Sequence, residues 1–537
     1  MHNTQRLISW PLVILLFSGF ILRVWNLNFD GVPYPHPDEL NYVPVARRML
    51  ETFDLNPHYF RNPPLVTYIF SLVYLIIYAF GHLIGFFPSW ENFLVHLHQN
   101  SSVYYLASRI VIALLGTLSG AVLYLSCRKL FDQRVAILSV AFLSFCFLHV
   151  RDSHFAVNDV AMTFFLMASF YFTIGIFQNA RLSQYLFAGL WAGLATAAKY
   201  NAGLIIVSIL VAHLLRQEKS RGSGLIKIQI AGYACLFGFL LTCPWIFLDQ
   251  KAFWGGFLKQ MSFASSPWLG QSSENSYTQF IKVLLWGYGT VPFILACAGA
   301  WVLFRRKERS LAFFLLSFPV VYYLAMGQSR LFAARFTIPV LPFLCIFSGY
   351  ALNALFVKLK LSGRKFLQWC ILIIVFAQSI IFSARFDYLI GLKDTRIYAR
   401  EWMVENLAEG SKIIKEGDEV FSPYLWDRKN KRYYKRFDGK AVWFNLADYT
   451  PQQYKQQGYE YLITTSFIRS RYESHPEQYS RQASFYDSLS EQAQEVYSLS
   501  PIEMGSDVLF YWDDAIAPFW NLFRLKMPGP TIKIYKL

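Results

Sequence analysis

Residues 65–87 read LVTYIFSLVYLIIYAFGHLIGFF, and the topology of the whole chain turns on whether this run crosses a membrane. A helix needs about 20 apolar residues to span roughly 30 Å of hydrocarbon, so its length permits crossing. The loop charges decide. Eleven other runs have span character: residues 7–27, 103–126, 135–150, 157–177, 184–198, 202–215, 228–248, 280–304, 311–326, 336–356 and 366–390. With the N-terminus inside and 65–87 not crossing, the inner loops hold Arg128, Lys129 and Arg134; Arg216, Lys219, Arg221 and Lys227; Arg305, Arg306, Lys307 and Arg309; and Lys358, Lys360, Arg364 and Lys365. If the run crossed, all of these would face outward, against the retention of basic loops on the cytoplasmic side. The sequence therefore predicts a juxtamembrane or re-entrant helix pair on the outer side, broken near Gly81 and Gly85.

Composition supports the membrane reading. Of 537 residues, 55% are hydrophobic and 16% charged, whereas a soluble domain carries about a quarter charged residues. The formal charge of +16, from 50 Lys+Arg against 34 Asp+Glu, is explained by the basic inner loops, which removes the case for nucleic acid. The run 7–27 reads as a retained anchor, because it is long, is interrupted by Arg23 and lacks a small-residue cleavage site. All seven cysteines lie in or at the ends of apolar runs. No disulfide framework and no structural zinc site follow from them, and no organic cofactor is expected.

This topology leaves three outer segments: residues 28–64, 249–278 and everything after about 391. The chain divides into a transmembrane domain, 1–390, with its outer loop at 28–64 and juxtamembrane helices at 65–87, and an extracytoplasmic α/β domain, 391–537. In the latter a helix is predicted over 394–408, amphipathic through Ile397, Trp402, Met403 and Leu407 and stopped at Gly410. Strand-like runs follow at 412–415, 441–444, 459–465, 508–512 and 531–537. No fixed-period repeat is present.

The residues able to carry chemistry cluster at the outer ends of the spans. The first outer loop contains Tyr34-Pro-His36-Pro-Asp38-Glu39-Leu-Asn-Tyr42 and Arg61-Asn-Pro-Pro-Leu65. Asp38 and Asp159 each also suit a helix N-cap ahead of an apolar run. Location separates the two roles, since both lie at the same outer face, where a carboxylate beside a span is costly unless paired, hydrated or used. Two such acids could share a divalent cation, with His36 or His154 as further ligands, or one could serve as general base. Arg61, Lys199 and Arg335 lie at the same level and suit a phosphate, although Lys199 and Arg335 could equally snorkel from helix ends. Arg47 and Arg48 read as a solvated helix face.

These residues also carry a resemblance. The Pro-Asp38-Glu39 turn, Arg61-Asn-Pro-Pro-Leu65, Asp159 heading its helix, Lys199-Tyr200-Asn201, and Arg335-Phe336 followed by Pro339 and Pro342 resemble the C-type (GT-C) glycosyltransferases that use polyprenyl-phosphate sugars. Within these the chain is most similar to the protein O-mannosyltransferases and the lipid A aminoarabinose transferase, particularly their bacterial relatives. The junction Asp394-Thr-Arg396 with Ala399-Arg-Glu-Trp402, and the terminal Gly529-Pro-Thr-Ile-Lys-Ile-Tyr535, extend the likeness nearly end to end.

The resemblance implies a polytopic α-helical GT-C-like membrane domain with about eleven spans, an outer juxtamembrane helix pair after the Pro-Pro motif, and a C-terminal α/β domain. It implies Asp38 as catalytic carboxylate, Glu39 as its acidic neighbour and Asp159 as the second acidic position, with Arg61, Lys199, Tyr200 and Arg335 against the donor phosphate or lipid. A divalent cation is an open expectation, with Asp38, Asp159 and His154 as candidate ligands. The WWDYG signature of oligosaccharyltransferases is absent, which points to transfer of a single sugar, mannose-like by family, from a polyprenyl-phosphate donor to a hydroxyl of a protein or glycolipid, with inversion. The implied setting is a bacterial inner membrane, N-terminus cytoplasmic and C-terminal domain extracytoplasmic. The alternative is a multi-span transporter or lipid-linked sugar flippase, which intramembrane Pro244, Pro292 and Pro319 would also suit. On the outer side, Trp254, Trp268 and Tyr277 offer faces for an acceptor sugar.

Overall fold

The computed structural model describes residues 9–29, 36–216, 224–266, 268–271, 274–306, 308–429, 432–502 and 510–537. Tyr34, Pro35, Lys219, Arg221, Lys307, Val508 and Leu509 of the sequence reading lie outside the described residues.

The membrane domain begins with α1 (Trp10–Val24) and α2 (Val43–Thr52), then α3 (Leu65–Leu83) and α4 (Trp90–Gln99). The run 65–87 is not the pair broken near Gly81 that its glycines suggested. It forms one helix through Gly81 and turns only at Gly85, whose φ of +76° takes the left-handed region. The second helix of the pair is α4, whose Phe93 and Leu97 are buried.

Then follow α5 (Ser101–Leu130), α6 (Gln133–Phe145), α7 (Phe147–Asp152), α8 (Asn158–Asn179), α9 (Leu182–Ala198), α10 (Ile206–Leu215) and α11 (Gly224–Leu240). Short α12 (Trp245–Leu248) and α13 (Gln250–Ser265) lead to α14 (Ser276–Val283), α15 (Thr290–Arg305), α16 (Arg309–Gly327), α17 (Leu341–Lys358) and α18 (Lys365–Ile390). Among the described residues, six helices are long and apolar enough to cross a membrane, α3 among them, or seven if one bent pair counts as a single span. Apolar helices of 10–17 residues stand beside them.

The predicted straight span 280–304 is that bent pair. The chain turns by 112° between Ser276–Tyr288 and Thr290–Arg305, at Gly289 (φ +113°) and ahead of Pro292. The expected span 135–150 likewise breaks, at Cys146 between α6 and α7.

Packing is closest between α9 and α11. Gly189 and Gly193 lie one turn apart on α9, and a Cβ at either would stand 2.1 and 2.0 Å from the carbonyls of Ala231 and Cys235. Small residues at this spacing let two helix backbones touch where lipid offers no hydrophobic drive for association.

The C-terminal domain opens on α19 (Thr395–Asn406), capped by the Asp394 carboxylate. Its five-stranded sheet has order β4-β1-β5-β7-β6, built from β1 (Lys412–Glu416), β4 (Asp438–Val442), β5 (Tyr461–Thr465), β6 (Gln494–Leu499) and β7 (Ile532–Lys536). β1 runs parallel to β4 and β5, and β7 antiparallel to β5 and β6. A separate hairpin pairs β2 (Trp426–Lys429) with β3 (Arg432–Lys435).

The central strands are covered on both faces, since adjacent apolar residues such as Ile413-Ile414 and Leu462-Ile463 send side chains to opposite sides. Ile413, Ile463 and Ile534 meet Ala399 and Met403 of α19. Ile414 and Leu462 meet Tyr454, Tyr472 and Leu489 from α20 (Pro451–Gln456), α21 (Ser466–Glu473) and α22 (Ser480–Gln492). Four of the predicted strands lie on or overlap β1, β4, β5 and β7. The fifth, 508–512, is not a strand where described: Trp512 opens α23 (Trp512–Ile516).

The two domains interlock. Arg151 donates to the carbonyls of Asp513 (2.9 Å) and Ala517 (3.1 Å), Trp286 to that of Phe519 (2.9 Å) and Arg385 to that of Leu525 (2.6 Å). At the junction, Thr395 donates to Pro530 O, and Gly529 (φ +100°) leaves no room for a Cβ beside Thr395 Oγ1 and Asp394 Oδ1. The Asp394-Thr-Arg396 and Gly529-Pro-Thr motifs, distant in sequence, thus form one packed junction.

Candidate active site

Asp38 lies on a single 3-10 turn, Pro37–Asn41. It is not the N-cap. His36 takes that place, its Nδ1 accepting from Asp38 N at 3.0 Å, and burial of the imidazole pushes its pKa down to about 3, so the ring is neutral.

The two adjacent acids part ways. Glu39 is fully buried, gripped by Arg109 Nε (2.8 Å) and Nη2 (2.7 Å) and by the backbone N–H of Ala156 (2.8 Å). It faces away from the cavity and pins the turn to α5. Asp38 points the other way, with 38% of its side chain accessible, and accepts from Arg335 Nη2 at 2.9 Å. Burial alone would raise its pKa, but the cations Arg335, Lys199 and Arg61 together hold the carboxyl below its ordinary value.

Arg335 comes from a second 3-10 segment, Ala334–Val340, which contains Pro339 and leads directly into α17. Its Nη1 lies 3.3 Å from His36 Nε2 and its Nε 3.7 Å from Asp159 Oδ2. Asp159 sits in the first turn of α8, where the helix N-terminus favours a negative charge; the cap position is Val157. Asp159 is 2% exposed and accepts from Lys199 Nζ at 2.6 Å. One guanidinium therefore links the two acids. Lys199 follows α9 directly.

Arg61 faces the same cavity, its guanidinium 4.2 Å from the centre of the Phe263 ring and with no carboxylate partner among the described residues. Its neighbour Asn62 accepts from Asn158 at 3.3 Å, tying the Arg61-Asn-Pro-Pro loop to α8. Tyr200 lies behind this surface, donating to Phe60 O.

The cavity has a volume of about 720 Å³, within the range of small-molecule sites. Asp38, Tyr59, Arg61, Lys199, Arg335 and Phe336 line one end, and residues of the C-terminal domain the other. Of the three aromatics expected to meet an acceptor, Trp268 lines it. Trp254 packs on Phe253 and Phe257, and Tyr277 on Tyr323.

The candidate cation ligands all have protein partners in this structure. Arg335 and Lys199 already engage Asp38 and Asp159, while the ring nitrogens of His154 face the carbonyls of Val150 (2.9 Å) and Trp25 (3.1 Å). Among the described residues no three His, Cys, Asp or Glu side chains gather as a metal site.

Three contributors were not read from the sequence. Arg109 left a signal, a cation inside the apolar run 103–126. Asp513, whose Oδ1 accepts from Ala334 N at 2.8 Å beside Arg335, and Arg471, at the far end of the cavity, left none, because only the tertiary fold brings them here.

Comparison with known proteins fits this geometry. Residues 97–247 match the family model described as dolichyl-phosphate-mannose-protein mannosyltransferase, a segment that carries Asp159 and Lys199. An uncharacterized protein of Aquifex aeolicus (strain VF5) is 26% identical over 376 residues, 67% of this chain and 68% of that one. The apo crystal structure of the Archaeoglobus fulgidus oligosaccharyltransferase superposes with a TM-score of 0.52 at 13% identity, over 94% of this chain and 74% of that one. The same enzyme, AglB, in complex with an inhibitory peptide and a dolichol-phosphate gives 0.51 at 13% identity, over 94% and 75%. The class is thereby defined: this is a multi-pass membrane protein with the GT-C glycosyltransferase fold, as the resemblance implied. Within that fold, residues 97–247 are similar to the mannosyltransferase family model.

Proposed function

We propose that the protein transfers a single sugar, mannose-like, from a polyprenyl-phosphate donor to an acceptor hydroxyl at the extracytoplasmic face of a bacterial inner membrane. The observation that carries this reading is the Asp38–Arg335 pair at the end of a 720 Å³ cavity that also holds Lys199 and Arg61. Three cations against Asp38 and Asp159 leave an excess of positive charge to receive a phosphate. The fold-sharing archaeal enzyme holds a dolichol-phosphate in its solved complex, and a donor of that class supports the same use here.

In the reaction, Asp38 takes the proton of the acceptor hydroxyl as its oxygen attacks the anomeric carbon. The bond from that carbon to the phosphate oxygen breaks, its electron pair leaves on the polyprenyl phosphate, and Arg335, Lys199 and Arg61 stabilise the charge that develops. One displacement inverts the anomeric centre. Glu39 and Arg109 act by positioning the turn that carries Asp38.

The test is Asp38→Asn in membranes supplied with polyprenyl-phosphate mannose, following release of free polyprenyl phosphate. Loss of a general base costs about 10²–10⁴-fold in rate, with membrane insertion retained; wild-type turnover would remove Asp38 as base. Because the protein's own cations face the leaving group, turnover is expected to survive a chelator.

A further inference from the structure

The far end of the cavity is built differently from the donor end. Phe421, Trp443, Phe444, Arg471 and Trp512 of the C-terminal domain close it, and Trp268 joins them from the loop after α13. Arg471 is fully buried. Its Nε donates to Phe467 O at 2.6 Å, but Nη1 and Nη2 have no hydrogen-bond partner among the described residues. Its guanidinium stands 3.9 Å from the centre of the Trp512 ring and 5.1 Å from that of Phe444. The Trp268 and Trp512 rings meet edge to face at 4.9 Å, and the indole Nε1 of each is likewise buried without a partner.

Four buried nitrogen atoms in this wall thus have no hydrogen-bond partner among the described residues. Asp418, the carboxylate in this wall, accepts from Val420 N and makes no ion pair with Arg471. Aromatic faces recover part of the cost of a buried guanidinium, but they cannot satisfy the outer N–H groups or the indoles, and an apolar side chain would fill the place at less cost. The arrangement is held deliberately. Gly270, at φ +77°, presses on the stem of Arg471, where a Cβ would come within 2.7 Å of Arg471 Cβ, so the loop that delivers Trp268 is locked to the residue it serves.

We propose that this end binds a sugar ring bearing a carboxylate or a phosphate. The oxyanion sits on Nη1 and Nη2 of Arg471 and the indole N–H groups of Trp268 and Trp512, while the ring stacks on the half-exposed faces of Trp443 and Phe444. This rests on the transferase reading and names the acceptor class: an acidic saccharide whose anion is a handle and whose hydroxyl, toward Asp38, is glycosylated.

The test is calorimetric titration of the full chain in nanodiscs with glucuronate, glucose 6-phosphate and glucose. Either charged sugar should bind at least about tenfold more tightly than glucose, and which of the two does so distinguishes carboxylate from phosphate. Arg471→Gln should abolish the preference and Arg335→Gln should keep it. Equal binding of all three by wild type, a preference that survives Arg471→Gln, or one lost in Arg335→Gln alone would overturn the assignment. Arg471→Met supplies a measurement that needs no ligand: it should leave the melting temperature unchanged or higher, whereas a purely structural arginine would make it fall. Should Arg471→Gln not fold, Arg471→Lys, which keeps the charge but not the fork, should weaken the charged sugars severalfold. Failure of the transferase reading itself would show separately, as wild-type protein that releases no polyprenyl phosphate.

Discussion

Arg335 is shared between two jobs, and the sharing has a kinetic signature. In the free protein it donates to Asp38 at 2.9 Å and holds that carboxyl below its ordinary pKa, which makes Asp38 a weak base. A donor phosphate competes for the same guanidinium and adds its own negative charge, so the carboxyl pKa rises once the donor is bound. A base works in its ionised form and fails as pH falls through its pKa. The acid limb of kcat/KM, which reports the free enzyme, should therefore lie below the ordinary carboxylate range, and that of kcat, which reports the complex, at higher pH. Coincident limbs in a pH–rate profile would mean that Arg335 stays on Asp38 throughout. Glu39 shows how far the residues alone could be read: the sequence names both acids, but which one is buried depends on Arg109 from a helix seventy positions away.

At the scale of elements, the site depends on two irregular turns, and the one bearing Arg335 is held from the other domain. Asp513 accepts from the backbone N–H of Ala334, while Arg151 fixes the Asp513 carbonyl from the membrane side. Asp513→Ala strands a buried N–H, a cost of about 1–3 kcal/mol, and lets the Arg335 turn drift. A drift of about 1 Å can lose 10²-fold in rate, and Asp513→Asn, which keeps the acceptor oxygen, should restore most of kcat. Unequal rescue of folding and rate would separate positioning from stability. The α9–α11 contact gives a sharper stability comparison. Gly193→Ala puts a methyl 2.0 Å from Cys235 O, whereas at Gly232 on α11 there is nothing within 4 Å. Thermal unfolding should show the first destabilised by about 1–3 kcal/mol and the second unchanged or stabilised by up to about 1 kcal/mol. Equal effects would mean that the helices part freely.

At the scale of the molecule, the helical membrane domain, the C-terminal sheet and the convergence of Asp38, Asp159, Lys199 and Arg335 were legible because hydropathy and loop charge act locally along the chain. The bend at Gly289, the hairpin β2–β3, strand β6 and the seating of residues 512–525 in the membrane domain were not, since each depends on partners far away in sequence. Sidedness joins the two kinds of information. Arg109 of α5 holds the Asp38 turn, and Arg128 lies 19 residues further along the same helix, a rise of about 28 Å, close to the thickness of a hydrocarbon core. At that second end Arg128 and Arg134 share a surface cavity with Asn353 and Val357 of α17, which places the loop after α5 beside the end of α17. The retention of basic loops then predicts that the site and the C-terminal domain lie outside. Cysteine placed singly at Phe53, at the end of α2, and at Glu477, in the C-terminal domain, both exposed, should react with a membrane-impermeant thiol reagent on intact cells. Cysteine at exposed Lys365 should react only after the membrane is permeabilised. Labelling of Phe53 and Glu477 from different sides would break the cavity apart, and labelling of both only from within would reverse the orientation and place sugar transfer in the cytoplasm.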